Sequence, residues 1–483
     1  MNAAAGPARR VAVVGGGIAG LAAAHRLSEL EPRPEVAVFE AAPQPGGVLQ
    51  TSRAGGYLLE ASADCFITNV PWAVELCRRT GLADDLLPTD ETRRRALVLH
   101  RGKLCPVPEG FMLMAPGPML GILVSPLLSL RGKLRLLAER WIPAGGGGDE
   151  SVAAFARRRL GREAFERLVQ PLVGGIYTGD AERLSLAATL PRFLEMERRH
   201  GSLSRAVLRE RGKTHEPAAS GARYGLFAAP RDGMGTLALA LAARLPAGWL
   251  RLSTPVHGLN RRSRTPCVTT TQPDCQWEIE TASGVEPAFD GLILATPGHV
   301  SARLLADAAP QLSQTVGKIP FAGSIVATVG YAREQIEHPL DAFGFVVPDI
   351  EQRDILAVSF SSQKFPGRAP PGHVLLRVFL GGARRPEQLD LDDQQIHAIV
   401  CRELGSLLGA RGEPQLFRVT RWPRAMPQYH LGHLELVAEI KQQAAALGTL
   451  ELAGCALEGV GVPHCIHSGQ QAAERLTARR RTN

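Results

Sequence analysis

The sequence predicts an α/β chain built on a dinucleotide-binding unit, and three observations within residues 11–40 predict it. Val11, Ala12, Val13 and Val14 form a short apolar, mostly β-branched run of the kind that makes a buried strand. Gly15-x-Gly17-x-x-Gly20 follows at once and opens a segment whose apolar residues (Ile18, Leu21, Ala22, Leu27, Leu30) suit a helix. A second strand over 36–39 ends on Glu40, 20 positions after Gly20. Each part has a physical task. Gly15 permits the tight strand-to-helix turn, Gly17 lets the backbone approach a pyrophosphate, and Gly20 lets helix and strand pack closely. The helix N-terminus offers free N–H groups and a partial positive charge to phosphates. Gly15, Gly16, Gly17, Ile18, Ala19 and Gly20 are thus candidate phosphate-side contacts, and Glu40 with Ala41 the candidate ribose side. A carboxylate at Glu40 disfavours a ribose 2′-phosphate, which argues against NADP. The competing reading is a glycine-rich turn in an ordinary α/β sheet.

Composition sets the frame. A chain of 483 residues suggests about three domains and is ample for a sizeable core. The 45% apolar content is that of a folded globular protein. Net charge is +8, but only six of the 55 basic residues are Lys, and no nucleic-acid motif accompanies the Arg. An anionic substrate or an anionic lipid surface suits this charge better than nucleic acid. The eight Cys are scattered without a CxxC or a metal-ligand cluster, which predicts buried free thiols in a reducing cytosol and no bound metal. Residues 1–10 lack the apolar core of a signal peptide, so the expected location is cytoplasmic.

Beyond Glu40 the chain bears family features. Gly46-Gly47-Val48 resembles the second glycine motif of the glutathione-reductase-type flavoproteins, in the branch that holds amine oxidases and porphyrinogen oxidases. Gln44-Pro45 replaces the Arg usual before that pair. Residues 56–66, with Glu60, Asp64 and Phe66, continue the resemblance, which implies that Ser62, Ala63 and Asp64 lie along a flavin.

In chain order, residues 73–80 suit a helix ending at Gly81, and 93–108 suit a hairpin turning at Arg101-Gly102-Lys103. Residues 111–130 carry no charge, yet Pro116, Gly117, Pro118, Gly121 and Pro126 interrupt any spanning helix. Arg131, Lys133, Arg135 and Arg140 follow, so the run has two readings: a membrane-facing surface with a positive rim, or a core or tunnel lining. Residues 145–148 form a loop and 151–168 a helix started by Asp149 or Ser151. Glycine-rich turns are expected over 170–180.

The segment 170–186, with Pro171-Leu172, Gly174-Gly175-Ile176-Tyr177-Thr178-Gly179-Asp180 and Leu184-Ser185-Leu186, resembles the signature of bacterial protoporphyrinogen and coproporphyrinogen oxidases. Residues 191–203 continue it. A turn at 231–235 leads into a helix, and a strand over 250–254 leads to Val256, whose backbone the resemblance puts near the adenine. Residues 261–276 read as a hairpin tip, followed by strands over 277–281 and 291–296. Strands over 323–331, 342–347, 355–360 and 374–381, with a helix over 392–408, form a substrate domain. The blocks 421–433 and 458–469 resemble the family's C-terminal signatures, with the last helix over 466–476.

The resemblance implies a discontinuous Rossmann-type FAD-binding domain (1–70, 227–300, 418–483), an α+β substrate domain (191–226, 301–417) and a helical, membrane-associating domain (82–190). It implies FAD, held additionally by Gly454, Val460, Gly461 and Val462, and a porphyrinogen cavity lined by Gly175, Phe343, Val346 and Phe379. The implied reaction is a six-electron aromatisation in three flavin cycles, with molecular oxygen as acceptor and peroxide released. A second copy of the chain and an anionic membrane are the remaining implied partners. No Ser/His/Asp or Cys/His set appears, so no catalytic side chain is named. Lys318 and Lys364 are the only Lys within 301–417 available to an amine-oxidase-like role. Relatives often carry a cation after the segment matching Asp64 to Phe66; here Ile67-Thr68-Asn69 supplies none, so a substrate carboxylate needs its partner elsewhere. An FAD-dependent amine oxidase or desaturase, and a non-catalytic flavin protein at a membrane surface, are the alternatives.

Overall fold

The computed structural model describes residues 9–117, 119–211, 227–263 and 275–478. Among the described residues, a parallel sheet runs in the order Leu250–Arg251, Glu35–Phe39, Arg10–Val14, Gly291–Leu294, Leu450–Leu452. Its central strands are apolar on both faces because both faces are covered. Val11 and Val13 pack with the helices Ile18–Ser28, Gly235–Arg244 and Val462–Ala478. Ala12 and Val14 face the antiparallel strands Val256–Ser263, Cys275–Thr281 and Gly284–Phe289 and the helix His433–Ala446. The tip expected over 261–276 lies mostly outside the described residues.

A second, mixed sheet runs in the order Leu416–Pro427, Phe321–Ala332, His373–Gly381, Ala357–Ser359, Gly344–Val346, Leu97–His100, Lys103–Pro106. The helix Asp393–Leu408 covers one face through Ile396, Val400 and Leu404. Asp392 and Gln395 form its capping box, and Gly409 ends it in the left-handed region.

The third body is a helical cluster around Phe111, Phe155, Leu168, Leu172 and Phe193. Three stretches lie elsewhere than the sequence suggested. The hairpin 97–106, expected with the helices, joins the mixed sheet through parallel pairing of Leu97 and Val98 with Phe345 and Val346. Residues 418–427, expected with the parallel sheet, form the mixed sheet's edge strand. The helices Pro191–His200 and Leu203–Arg211, expected with the substrate region, pack into the helical cluster. The reason is a buried ionic knot. Arg159 pairs with Glu139 and Glu197, and Glu139 also accepts from the Ser202 hydroxyl (2.6 Å) and the Leu203 (2.9 Å) and Ser204 (3.1 Å) N–H groups. That carboxylate caps the helix Leu203–Arg211 from another segment.

The helix expected over 151–168 breaks at Gly161 (φ +92°), after Val152–Leu160. It restarts at Arg162 and runs on to Tyr177, so the expected glycine-rich turn at 174–175 is helical. Burial of Leu168, Val169, Leu172 and Val173 offsets the roughly 1 kcal/mol that each helical Gly costs. The apolar run 111–130 is part core and part surface. Phe111, Met114, Ile122 and Leu127 are core, whereas Leu120 and Val124 are 71% and 72% exposed, beside exposed Leu130, Leu134 and Trp141. Among the described residues no helix is long and apolar enough to cross a membrane.

Candidate active site

The groove begins where the strand Arg10–Val14 turns into the helix Ile18–Ser28. Gly15 has φ +107°, and a Cβ there would stand 2.8 Å from the Ala295 carbonyl oxygen. A Cβ at Gly20 would stand 1.9 Å from the Gly15 carbonyl oxygen, so Gly20 allows the helix to close on the turn. Gly17 differs. Its backbone is ordinary (φ −71°, ψ 176°), no side chain caps the helix, and a Cβ would meet nothing nearer than Gly47 Cα at 4.0 Å. Open space therefore faces the uncapped first-turn N–H groups. The Gly46-Gly47 turn forms the opposite wall, with the Gly46 N–H donating to the Gly16 carbonyl (2.8 Å). Ile18 and Ala19 contribute backbone only, their side chains being buried.

Glu40 sits at the end of the neighbouring strand. Its carboxylate accepts from the Gly16 N–H (2.6 Å) and the Ala42 N–H (2.8 Å), which fixes it at the rim of the cradle next to Ala41. The Ser253 and Thr254 N–H groups donate to the Ala42 and Glu40 carbonyls, bringing Val256 to the same end of the groove. At the other end, the Ser62 hydroxyl donates to the Val48 carbonyl (2.5 Å), and Ala63 packs on the parallel-sheet core. The Gly454 N–H donates to Ser468 Oγ (3.0 Å), and the turn through Val460 and Gly461 feeds the helix that starts at Val462. That helix lies on Ile18–Ser28 so closely that a Cβ at Gly469 would stand 2.0 Å from the Ala19 carbonyl oxygen. Two helix N-termini and two glycine turns thus frame a continuous groove. An open backbone cradle for a pyrophosphate with a carboxylate at the ribose end fits FAD; Gly15, Gly16, Gly17, Gly46, Gly47 and Glu40 would hold it there.

Beyond the groove lies an apolar cavity, and it brings Gly175, Phe343, Val346 and Phe379 together with Leu172, Ile176, Ser359, Asp64 and Lys364. Phe343 and Val346 come from the segment around the strand Gly344–Val346, Phe379 from His373–Gly381, and Gly175 from the last turn of Gln170–Tyr177. Asp64, expected along the flavin, also lines this cavity. Its buried carboxylate accepts from Lys364 Nζ at 2.9 and 3.1 Å, with Arg377 3.4 Å away. Burial alone would raise its pKa, but the Lys364 and Arg377 charges outweigh burial and hold it well below the usual carboxylate range. Burial would likewise lower the Lys364 pKa, and the Asp64 carboxylate reverses this and raises it. Arg377 also donates to the Ser62 carbonyl, which links the cluster to the groove. A cation does stand beside the segment Asp64 to Phe66, brought there by Lys364 from 300 residues further along the chain. Lys318 is exposed and away from the lining. Arg377 and Ser359 escaped sequence reasoning, because one more Arg or Ser on a strand carries no local signal.

Residues 18–477 match the family model described as flavin containing amine oxidoreductase. The chain is 31% identical over 478 residues to a protein of Staphylococcus aureus (strain NCTC 8325 / PS 47) named coproporphyrinogen III oxidase, covering 97% of this chain and 99% of that one. It is 30% identical over 497 residues to the chloroplastic protoporphyrinogen oxidase of Nicotiana tabacum, covering 98% and 86%. The crystal structure "Putative protoporphyrinogen oxidase" from Exiguobacterium sp. 255-15 superposes with a TM-score of 0.84 at 25% identity, over 98% of this chain and 99% of that one.

Proposed function

The chain belongs to the flavin containing amine oxidoreductase family and is an FAD-dependent oxidoreductase; within that family we propose that it aromatises a porphyrinogen in heme biosynthesis. The observation that carries this reading is the cavity beside the groove, with Phe343 and Phe379 in an apolar lining and a buried cation at its edge. Flat aromatic faces suit a large, flat, mostly apolar macrocycle. A macrocycle with carboxylate arms also needs positive charge, and the Lys364–Asp64–Arg377 cluster holds two cations against one anion. Lys364 therefore draws a carboxylate toward the lining while Asp64 keeps the ammonium in place. Neither group exchanges a proton near neutral pH, since Asp64 is held ionised and Lys364 protonated. The cluster orients; it does not act as a base. Bound FAD supplies the two-electron oxidant, three times per product, with molecular oxygen as terminal acceptor.

Coproporphyrinogen III is the favoured substrate, because a tetracarboxylate gains more than a dicarboxylate from the excess positive charge; the names of the bacterial relatives point the same way. The apolar surface at Leu120, Val124, Leu130 and Trp141, rimmed by Arg131 and Lys133, supports peripheral binding to an anionic membrane on the cytoplasmic face. The test is to mix the purified yellow protein under air with coproporphyrinogen III and protoporphyrinogen IX separately and follow porphyrin fluorescence. Fluorescence rising faster than in the enzyme-free control, and faster with coproporphyrinogen III, is the expected result. A flavin spectrum with neither substrate oxidised above background, and bleaching by a primary amine, would overturn the reading in favour of an amine oxidase.

A further inference from the structure

His397 and Cys401 lie one turn apart on the helix Asp393–Leu408, so their side chains share a face. Gly409 then turns the chain back. The Gln335 side chain holds the returning loop by donating to the carbonyls of Arg411 (3.0 Å) and Glu413 (3.1 Å). This brings the Glu413 carboxylate to 3.3 Å from His397 Nε2, while Cys401 Sγ stands 3.6 Å from the same nitrogen. All three potential ligand atoms fall within 4.8 Å of one another. The His397 ring is steadied by an edge-on contact with Phe417, at 4.6 Å between centroids. The cluster is separate from the groove and the cavity, none of whose lining residues it shares.

From this geometry we propose that His397, Cys401 and Glu413 bind one zinc ion, with water in the fourth position. Zinc bonds of about 2.3 Å to sulfur, 2.0–2.1 Å to nitrogen and 2.0–2.2 Å to oxygen, at tetrahedral angles, put sulfur and nitrogen roughly 3.6 Å apart and nitrogen and oxygen roughly 3.4 Å apart. The observed separations are 3.6 and 3.3 Å. Helix spacing brings the thiol beside the imidazole, with the Tyr331 hydroxyl 3.8 Å from Cys401 Sγ, and the loop brings the carboxylate to the same nitrogen, so three ligand types converge on one point. The ligand set is thiolate, imidazole and carboxylate, which selects zinc over magnesium or calcium. Glu413 is exposed, so the ion has a path in. Binding displaces the Cys401 thiol proton to solvent and forms the Zn–S bond, and His397 and Glu413 complete the site. The ion would fasten the helix to the loop that returns along the edge of the mixed sheet.

The test uses the FAD-loaded enzyme, stripped with EDTA, dialysed and titrated calorimetrically with zinc chloride in two buffers of different ionisation enthalpy. Wild type is expected to take up one zinc per chain and to release about one thiol proton. Cys401→Ser and His397→Gln should each lose that uptake while keeping the flavin absorbance of wild type, and Cys105→Ser should keep both. Glu413→Gln alters an exposed side chain and should weaken binding at least tenfold without touching the fold. No uptake by wild type, or uptake that survives both Cys401→Ser and His397→Gln, overturns the proposal.

Discussion

The sharpest expectation concerns two glycines of one motif that have opposite physical reasons to be glycine. At Gly17 the protein itself leaves room: the backbone is ordinary and the nearest atom to an added Cβ is 4.0 Å away. At Gly20 the same atom would lie 1.9 Å from the Gly15 carbonyl oxygen and 3.2 Å from Ala295 Cβ. Gly17→Val should therefore fold, costing the apoprotein about 1 kcal/mol or less as a changed helix cap. It should lose the cofactor, because the new side chain fills the space in front of the first-turn N–H groups. Gly20→Val should destabilise even the apoprotein, by about 1–3 kcal/mol or more, as an overpacked helix–strand contact. The assay is the thermal midpoint with and without added FAD, read beside the flavin absorbance of the purified protein. At 100 times its dissociation constant FAD stabilises wild type by about 2.7 kcal/mol. Gly17→Val should show a near-normal midpoint without FAD and no rise with it. Full yellow colour in Gly17→Val, with a rise equal to that of wild type, would refute the placement of the pyrophosphate.

Two further expectations follow from buried charge and from exposed apolar surface. Asp64→Asn leaves Lys364 and Arg377 facing each other without a counter-charge and should cost about 3–5 kcal/mol at pH 7, whereas Asp64→Asn combined with Lys364→Met should cost less than the sum of the single changes. Because the folded pKa of Asp64 is depressed, its contribution is complete above the unfolded value near 3.9 and is lost as pH falls through the folded one; the difference from Asp64→Asn should be flat from pH 5 to 8 and shrink only in acid. Additive single changes, or a difference that grows in acid, would contradict the ionic account. Leu120→Glu with Val124→Glu should leave stability within about 0.5 kcal/mol and release the protein from anionic vesicles in a co-sedimentation assay, whereas Leu127→Glu, at a fully buried position, should unfold it. Unchanged co-sedimentation of the double variant would remove the membrane surface.

What the sequence made legible follows from how local each constraint is. The strand, turn and helix around Gly15, Gly17 and Gly20 could be read because the motif's spacing is local, with Gly15 in a positive-φ turn and Gly20 closing on the Gly15 carbonyl five residues earlier, although Ala295 and Gly47, which also line it, come from far along the chain. Glu40 could be read because one helix length fixes where the second strand must end. The cavity residues Phe343, Val346 and Phe379 came only through resemblance, since alternating apolar residues on strands look alike whichever face meets a ligand. The neighbours of Asp64 could not be read at all: Lys364 and Arg377 reach it across about 300 residues, and nothing near either one marks it. The same reason moved the hairpin 97–106, whose place is decided by pairing with Gly344–Val346 and not by its own turn at Arg101 and Gly102. The His397, Cys401 and Glu413 cluster lies between these cases. Its first two members are spaced for one helix face in plain sight, but a pair separated by four residues is common, and the third ligand arrives only because Gly409 reverses the chain and Gln335 catches the loop. Side chains whose neighbours lie within one turn of helix or one tight turn are thus visible in sequence. Those gathered by sheet pairing or by a reversed loop become visible only when the backbone is folded, and here they include the cavity's charge cluster and the proposed zinc ligands.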